Sequence, residues 1–247
     1  MSDYVKQLTD AQVSLYDLLR QLGTVDGSGT ISVPRYTLIG GVKARIDELM
    51  PEGEGIQFDV DGITNTTDTL DLLINAFLDE SARNVHQIAP LHVINGKIAN
   101  VSPVPSLDGS GYVVVPNDYL RFISFKMTLW QREVSSEDLI TPQSNRYKLQ
   151  GNNHTRGGKA KPVCVFNTRI INAEPFKVIE YYSVSPDDTH TLEKFIYVAS
   201  VSAEDIQANL VETMLWICAK KVLQVSGRIA ESEKAWEEVK INLENLL

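Results

Sequence analysis

The sequence predicts an α+β fold, in which helices from both ends of the chain form a bundle and a β-rich domain is inserted between them. Apolar residues recur at helical spacing before residue 90 and after residue 202. Between these regions, short blocks rich in Val, Ile, Phe and Tyr alternate with turns, as strands do. The predicted divisions are a helical region at 1–90, a β-rich insertion at 91–201 and a C-terminal helical hairpin at 202–247.

Two helices and a short strand are predicted before residue 66. The first helix spans 3–22, where leucines and valines follow helical spacing and Gly23 supplies a C-terminal stop. The second runs from Arg35 to Met50, because Pro51 cannot continue it. The turn-rich stretch that follows contains a short predicted strand at Ile56–Val60.

A longer helix follows and ends before Pro90. The hydroxyl of Thr66 or Thr67 is suited to capping its first turn, and Asp68 favours its positive N-terminal end. His86 lies late in this helix and is expected at the edge of the core. The predicted apolar face consists of Leu70, Leu73, Ile74, Phe77, Leu78, Ala82, Val85 and Ile88.

Six blocks between residues 91 and 200 have strand-like composition. They read "LHVI", "GYVVV", "LRFISFKMTLW", "PVCVFNTRII", "FKVIEYYSV" and "FIYVAS". The stretch "SSED" at 135–138 resembles a capping box, so we expect one helical turn there.

The last 46 residues predict a helical hairpin. Its first helix starts at Ser202 as the cap and ends at Gly227, and its apolar character from Leu210 to Val225 predicts burial. The final helix carries one apolar stripe, opposite a mostly acidic face, and is expected to pack on its own domain or on a neighbouring subunit. The stripe consists of Ile229, Trp236, Val239, Leu243 and Leu246.

The cysteines predict a reducing compartment, and the N-terminal residues predict no signal peptide. Cys164 and Cys218 lie in apolar runs, so two buried reduced thiols are favoured, with a disulfide as the alternative. The N-terminal residues lack the pattern of a signal peptide, and no apolar run is long enough to span a membrane.

No local motif predicts catalysis, a metal or a cofactor. The four histidines, His86, His92, His154 and His190, lack metal-ligand spacing. Asp59, Asp61 and Asp68 do not complete a calcium loop and are interpreted as turn residues. We therefore expect no enzymatic activity, although an acid–base pair of carboxylates from distant positions remains a third hypothesis.

Charge is distributed unevenly along the chain, whose net charge is −9. Residues 1–118 contain 7 basic and 16 acidic side chains, residues 119–170 contain 9 and 3, and residues 171–247 contain 7 and 13. A basic middle between acidic ends indicates an anionic partner or neighbouring copies that pair by charge. An unevenly charged but otherwise ordinary solvated surface is the alternative.

The centre of the basic region is the stretch "QGNNHTRGGKAKPV" at 150–163. It is not a phosphate-binding loop, because Asn153 stands at the first glycine position and Ala160 replaces the hydroxyl residue. Tyr147 alone is too little aromatic surface to stack nucleic-acid bases. The residues predicted to contact a subunit or DNA are Arg146, Lys148, Arg156, Lys159 and Lys161.

Four segments together form a recognisable pattern. They are "GYVVVPNDYLRFISFKMTLWQREV" at 111–134, "NNHTRGGKAKPVCVF" at 152–166, "IEYYSV" at 179–184 and "LVETMLWICAKKVLQVSGRIAESEKAWEEV" at 210–239. These segments resemble the head-to-tail connector proteins of tailed bacteriophages, including the neck ring proteins of crAss-like phages. The resemblance covers about residues 67–247. Asn117 departs from the aspartate more usual at its position.

The resemblance implies a structural virion protein that forms a ring, commonly of twelve copies, beneath the portal. Such a ring extends the DNA channel and offers a platform to the tail. The implied partners are copies of itself, the portal, other neck or tail proteins and passing phage DNA, in the virion neck and, during assembly, in the host cytoplasm. Trp236, Val239, Leu243 and Leu246 are then expected to dock on the portal or on a neighbour. The alternative is a cytoplasmic nucleic-acid-binding or regulatory module that uses residues 146–161.

Overall fold

The computed structural model describes residues 30–50, 66–152 and 154–247, and it has a mixed α+β fold. The chain divides into two compact units. Residues 96–200 form the β unit, and the segments before and after it together form the helical unit. The helix predicted at 3–22 and the strand predicted at Ile56–Val60 lie outside the described residues.

The described residues contain five helices and ten strands. The helices are α1 (Arg35–Leu49), α2 (Thr66–Ile88), α3 (Asn145–Lys148), α4 (Val211–Val225) and α5 (Ile229–Glu244). The strands are β1 (Thr30–Ser32), β2 (Lys97–Ile98), β3 (Val104–Pro105), β4 (Gly111–Val114), β5 (Tyr119–Met127), β6 (Val134–Ser135), β7 (Cys164–Ile171), β8 (Glu174–Tyr181), β9 (Leu192–Ala199) and β10 (Asp205–Gln207).

Helix α4 is the centre of the helical unit and packs against α1, α2 and α5. As its all-round apolar sequence predicted, most of its side chains are buried, including Met214 and Leu215. Gly41 of α1 lies so close to α4 that an added Cβ would come within 2.9 Å of Leu215 Cδ1. Helices from before and after the β unit therefore share one core.

The predicted start of the last helical hairpin at Ser202 is wrong. Asp205–Gln207 instead pairs antiparallel with Thr30–Ser32, and α4 begins only at Val211. The Ser202 hydroxyl donates to the Asp205 carboxylate at 3.0 Å, which forms a turn before the strand. The predicted end is confirmed, because Gly227 has φ +78° and closes the helix.

Two local predictions within residues 91–144 are also wrong. Leu91–Val93 forms a single 3₁₀ turn and not a strand. Ser135 ends β6, and the Asp138 amide donates to its carbonyl at 3.1 Å, so "SSED" forms a turn and not a helix. The helical turn in this region is α3, which the Ser144 hydroxyl caps by accepting from the Tyr147 amide.

The β unit contains two four-stranded antiparallel sheets, ordered β2-β9-β5-β6 and β3-β4-β8-β7. Side chains from both sheets form one aromatic-rich core, which includes Phe125, Tyr181 and Phe195. The Trp130 indole is buried, and its N–H donates to the Ser183 carbonyl at 3.0 Å, so this polar group has a hydrogen-bond partner. Five of the six predicted strand blocks are confirmed by β4, β5, β7, β8 and β9.

The predicted environments of the cysteines and of His86 are confirmed. Cys164 and Cys218 are both free and buried, and burial raises the pKa of each thiol, that of Cys218 to about 12. His86 is buried in α2 with Nδ1 at 2.8 Å from the Ala82 carbonyl, and burial lowers its pKa. All three side chains are therefore buried parts of the packed interior.

Candidate functional site

Residues 140–152 and 154–163, which contain most of the predicted basic segment, form a packed cover on the outer face of the sheet β3-β4-β8-β7. Side chains alternate along β7, so Cys164 enters the main core while Val165 points to the opposite face. There Val165 joins a second apolar cluster with Ile140 and Val163, and Tyr147 and Tyr182 pack against it. The segment is therefore fixed to the sheet and is not a simple flexible turn.

A buried carboxylate anchors this cover. The Glu180 side chain on β8 is only 3% exposed, and its oxygens accept from the Tyr182 hydroxyl at 2.5 Å, Arg169 Nε at 2.6 Å and the Tyr147 hydroxyl at 3.4 Å. The Arg169 guanidinium also lies over the Tyr112 ring at 4.8 Å. Glu180 thus has the several donors that a buried charge requires.

Arg156, predicted as a partner contact, forms an internal clamp within the β unit. Its side chain is 9% exposed and donates to the Asp108 carboxylate at 2.8 Å and to the Gln150 carbonyl at 3.0 Å. Donation from the Ser110 hydroxyl, and then from Arg156, lowers the pKa of Asp108 to about 2. Lys159 is likewise paired, with Asp188 at 2.6 Å.

The other three predicted contact residues, Arg146, Lys148 and Lys161, are exposed, and none forms an ion pair with another described residue. Gln150 ties their segment together, since its Nε2 donates to the Arg146 carbonyl at 2.8 Å and its Oε1 accepts from the Gly157 amide at 3.0 Å. Leu149, which follows Lys148, is 49% exposed. We call Arg146, Lys148, Leu149 and Lys161 the cationic surface.

The two adjacent glycines of the segment differ in their surroundings. A Cβ on Gly157 would lie 2.7 Å from Val163 Cγ2 and 2.8 Å from the Lys161 carbonyl oxygen, whereas a Cβ on Gly158 would meet nothing within 4 Å. Gly157 therefore permits the close packing of the cover, which is a structural role and not a phosphate-binding one.

The predicted docking stripe on α5 faces its own unit. Val239 is fully buried, so it is not available to a partner and its prediction as a docking residue is wrong. Trp236 is half-buried beneath Lys220, whose Nζ lies 4.1 Å from the ring centre, and Leu243 and Leu246 are half-buried. The large apolar side chains that α5 does expose are Ile229 and Ile241.

The shifted carboxyl groups belong to structural ion pairs and hydrogen-bonded turns. Each carboxyl group that departs from its ordinary pKa, among those described, is shifted downward, because hydrogen bonds and nearby cations outweigh burial. These groups are Asp79, Asp108, Asp118, Glu133, Asp138 and Asp188. Within the described ranges, no cluster of three or more potential metal ligands is present, and no helix has the length and apolar character needed to cross a membrane.

Comparison with known proteins adds no family assignment. The chain matches no family model, and it matches no curated protein. Sequence reasoning missed Glu180 and Asp108, and no local pattern marks them, because Asp108 lies 48 residues from its partner Arg156.

Proposed function

We propose that this chain is a structural protein of a tailed bacteriophage that forms a ring in the head-to-tail connector, below the portal, and lines the DNA channel. The proposal starts from the resemblance of residues 67–247 to connector proteins. The observation that carries it is the charge difference between the two units. The β unit has 12 basic and 10 acidic residues, and the rest of the chain has 11 basic and 22 acidic residues.

Such a charge difference favours head-to-side association of identical copies. If the β unit of one copy contacts the acidic helical unit of the next, the same contact repeats and closes into a ring. Complementary charge then selects the partner and its orientation. The proposed partners are further copies, twelve in a ring, together with the portal, other neck or tail proteins and the passing DNA.

In this proposal the protein acts in the virion neck, and in the host cytoplasm during assembly, with no enzymatic activity and no cofactor. The lowered carboxyl pKa values support a structural role, because a general acid at neutral pH requires a raised one. Their partners are cations and hydrogen-bond donors of the same unit.

Electron microscopy of the purified protein, alone and mixed with its portal, tests the proposal. We expect closed rings of uniform diameter, with twelve-fold symmetry in class averages. A protein that stays monomeric at every concentration, and that binds neither portal nor tail proteins, would contradict it.

A second candidate function is a nucleic-acid-binding module, favoured by the three exposed cations Arg146, Lys148 and Lys161. The internal pairing of Arg156 and Lys159 leaves few charges for phosphates. A salt titration of DNA binding separates the two functions. Three phosphate contacts give a slope of log K against log salt of about −3 or shallower, whereas tight and steeply salt-dependent binding by the monomer would favour the module.

A further inference from the structure

The cations of the cationic surface form no ion pair with another described residue, unlike most basic residues of the β unit. Seven of the twelve basic residues in this unit pair with a carboxylate of the same unit. Arg146, Lys148 and Lys161 have no such partner among the described residues, although their segment is held firmly by Gln150 and Glu180. A rigid surface with unpaired charges is prepared to bind an anionic group at little entropic cost.

The composition of this surface favours a protein partner over DNA. Leu149, 49% exposed, follows Lys148 directly in the chain. A phosphate backbone offers nothing to bury a leucine against, whereas a protein surface does. The partner should therefore combine acidic side chains with an exposed apolar one.

The outer face of α5 combines acidic side chains with an exposed apolar one, and it also carries the exposed Lys234. Glu233 and Glu244 are exposed and form no ion pair with another described residue. They lie eleven residues apart, which is about three helical turns, so they project from the same side of α5 within about 20° of each other. Ile241, 50% exposed, lies near them, while Glu237 is paired with Lys240 at 2.7 Å.

The opposite face of α5 is already used. Ser232, Ala235 and Val239 are its buried residues. The acidic outer face is thus presented outward while α5 remains fixed to the helical unit.

We propose that the cationic surface of one copy binds the outer face of α5 in a second copy, with Arg146, Lys148 and Lys161 against Glu233 and Glu244 and with Leu149 against Ile241. The contact joins two different surfaces, so it propagates from copy to copy and closes when the rotation permits. This inference rests on the proposed ring function and names the surfaces that build the ring. Because exposed ion pairs contribute little affinity each, their main effect is to fix the pairing and its orientation.

Charge reversal in the full-length chain tests the contact. We expect R146E/K148E/K161E, and separately E233K/E244K, to weaken self-association about tenfold or more in sedimentation velocity. A chain that carries all five substitutions again has opposite charges on the two surfaces, so we expect it to form rings. Lys177→Glu is the matched control for Lys161→Glu, because both lysines are exposed on the β unit, and it should leave association unchanged.

The outcomes separate this contact from the proposed function. Circular dichroism of each variant checks that the fold is retained, and the E233K/E244K chain provides an independent test if the triple variant does not fold. Rings that form equally well in both reversed variants, or a chain with both sets that fails to recover, would overturn the contact and leave the ring function standing. Rings that form normally but lose DNA binding in R146E/K148E/K161E would assign the cations to DNA instead. A wild-type protein that never forms rings with its portal would overturn both.

Discussion

An Arg–Glu pair lies in each unit of the molecule, but the two units bury opposite members of the pair. In the helical unit Arg45 is the buried member, with a side chain 8% exposed against 27% for Glu212. In the β unit Glu180 is buried, at 3% exposed, and Arg169 is 39% exposed. Substitution of the more exposed member of a pair leaves the buried member's charge without that partner, so the sensitive position is Glu212 in the helical unit and Arg169 in the β unit.

The pairs also differ in geometry. Arg45 binds Glu212 with two bonds of 2.6 Å, from Nε and from Nη2, and lies over the Trp216 ring. Glu180 instead accepts from three different side chains, those of Arg169 and two tyrosines. Loss of Arg169 therefore still leaves Glu180 with two hydroxyl donors.

Removing the exposed partner in each unit should reveal this difference. Glu212→Ala leaves buried Arg45 without its carboxylate and should lower the free energy of unfolding by about 3–5 kcal/mol. Arg169→Ala leaves Glu180 with its tyrosine donors and should cost about 1–3 kcal/mol. Urea unfolding followed by hydrogen exchange, which assigns the loss to one unit, measures both.

Glu212→Gln is the control for the first substitution, because it keeps the shape of the side chain and loses its charge. Its cost should fall between zero and that of the alanine variant. If Arg169→Ala proved the more damaging substitution, then the tyrosine hydroxyls would not compensate Glu180 as we infer.

Within the β unit, alanine substitution of the two adjacent glycines of the cover tests how closely the cover is packed, with a smaller expected effect on stability. Gly157→Ala places a methyl group against Val163 and the Lys161 carbonyl and should cost about 1–3 kcal/mol through overpacking. Gly158→Ala meets open space and should be neutral or stabilising by about 0.4–1 kcal/mol. Thermal melting of both variants measures the difference. Equal melting temperatures would show that the cover is not closely packed around Gly157.

The smallest expected effect is a decrease in the stability of the β unit at acidic pH. The pKa of Asp108 is lowered to about 2 from the ordinary 3.8, by the Ser110 hydroxyl and by Arg156. Its contribution to stability is therefore fully present above about pH 4 and is lost as the pH falls toward 2. Asp108→Asn should flatten the decrease of melting temperature between pH 4 and pH 2, and the exposed Asp187→Asn should not. A wild-type slope in the Asp108 variant would contradict the lowered pKa of Asp108.

The sequence predicts most elements whose determinants are local. Helix α1 ends before Pro51, α4 ends at Val225 just before Gly227, and the apolar spacing of α2 identifies Ile74, Leu78 and Val85 as core residues. The error at Asp205–Gln207 has a non-local cause, because these residues pair with Thr30–Ser32. A capping pattern such as that at Ser202 is not informative about a strand partner more than 170 residues away in the sequence.

The candidate site was predictable only as a charge pattern. The sequence identifies a basic segment, but it does not distinguish Arg156, which is clamped by Asp108, from Lys161, which is exposed. The same limit applies to Val239, whose burial depends on how α5 packs against α4. Such distinctions arise from contacts between distant parts of the chain, to which residue periodicity is insensitive.

The insertion of the β unit between the helices has a consequence for synthesis on the ribosome. Helix α4, which packs against α1 and α2, begins about 120 residues after the end of α2 and about 160 residues after the end of α1. At translation rates of about 5–20 residues per second, α4 is therefore synthesised roughly 6–24 s after α2 and roughly 8–32 s after α1. The β unit, continuous in sequence, is complete earlier. We therefore expect the nascent β unit to fold first and the early helices to need protection from aggregation until α4 emerges.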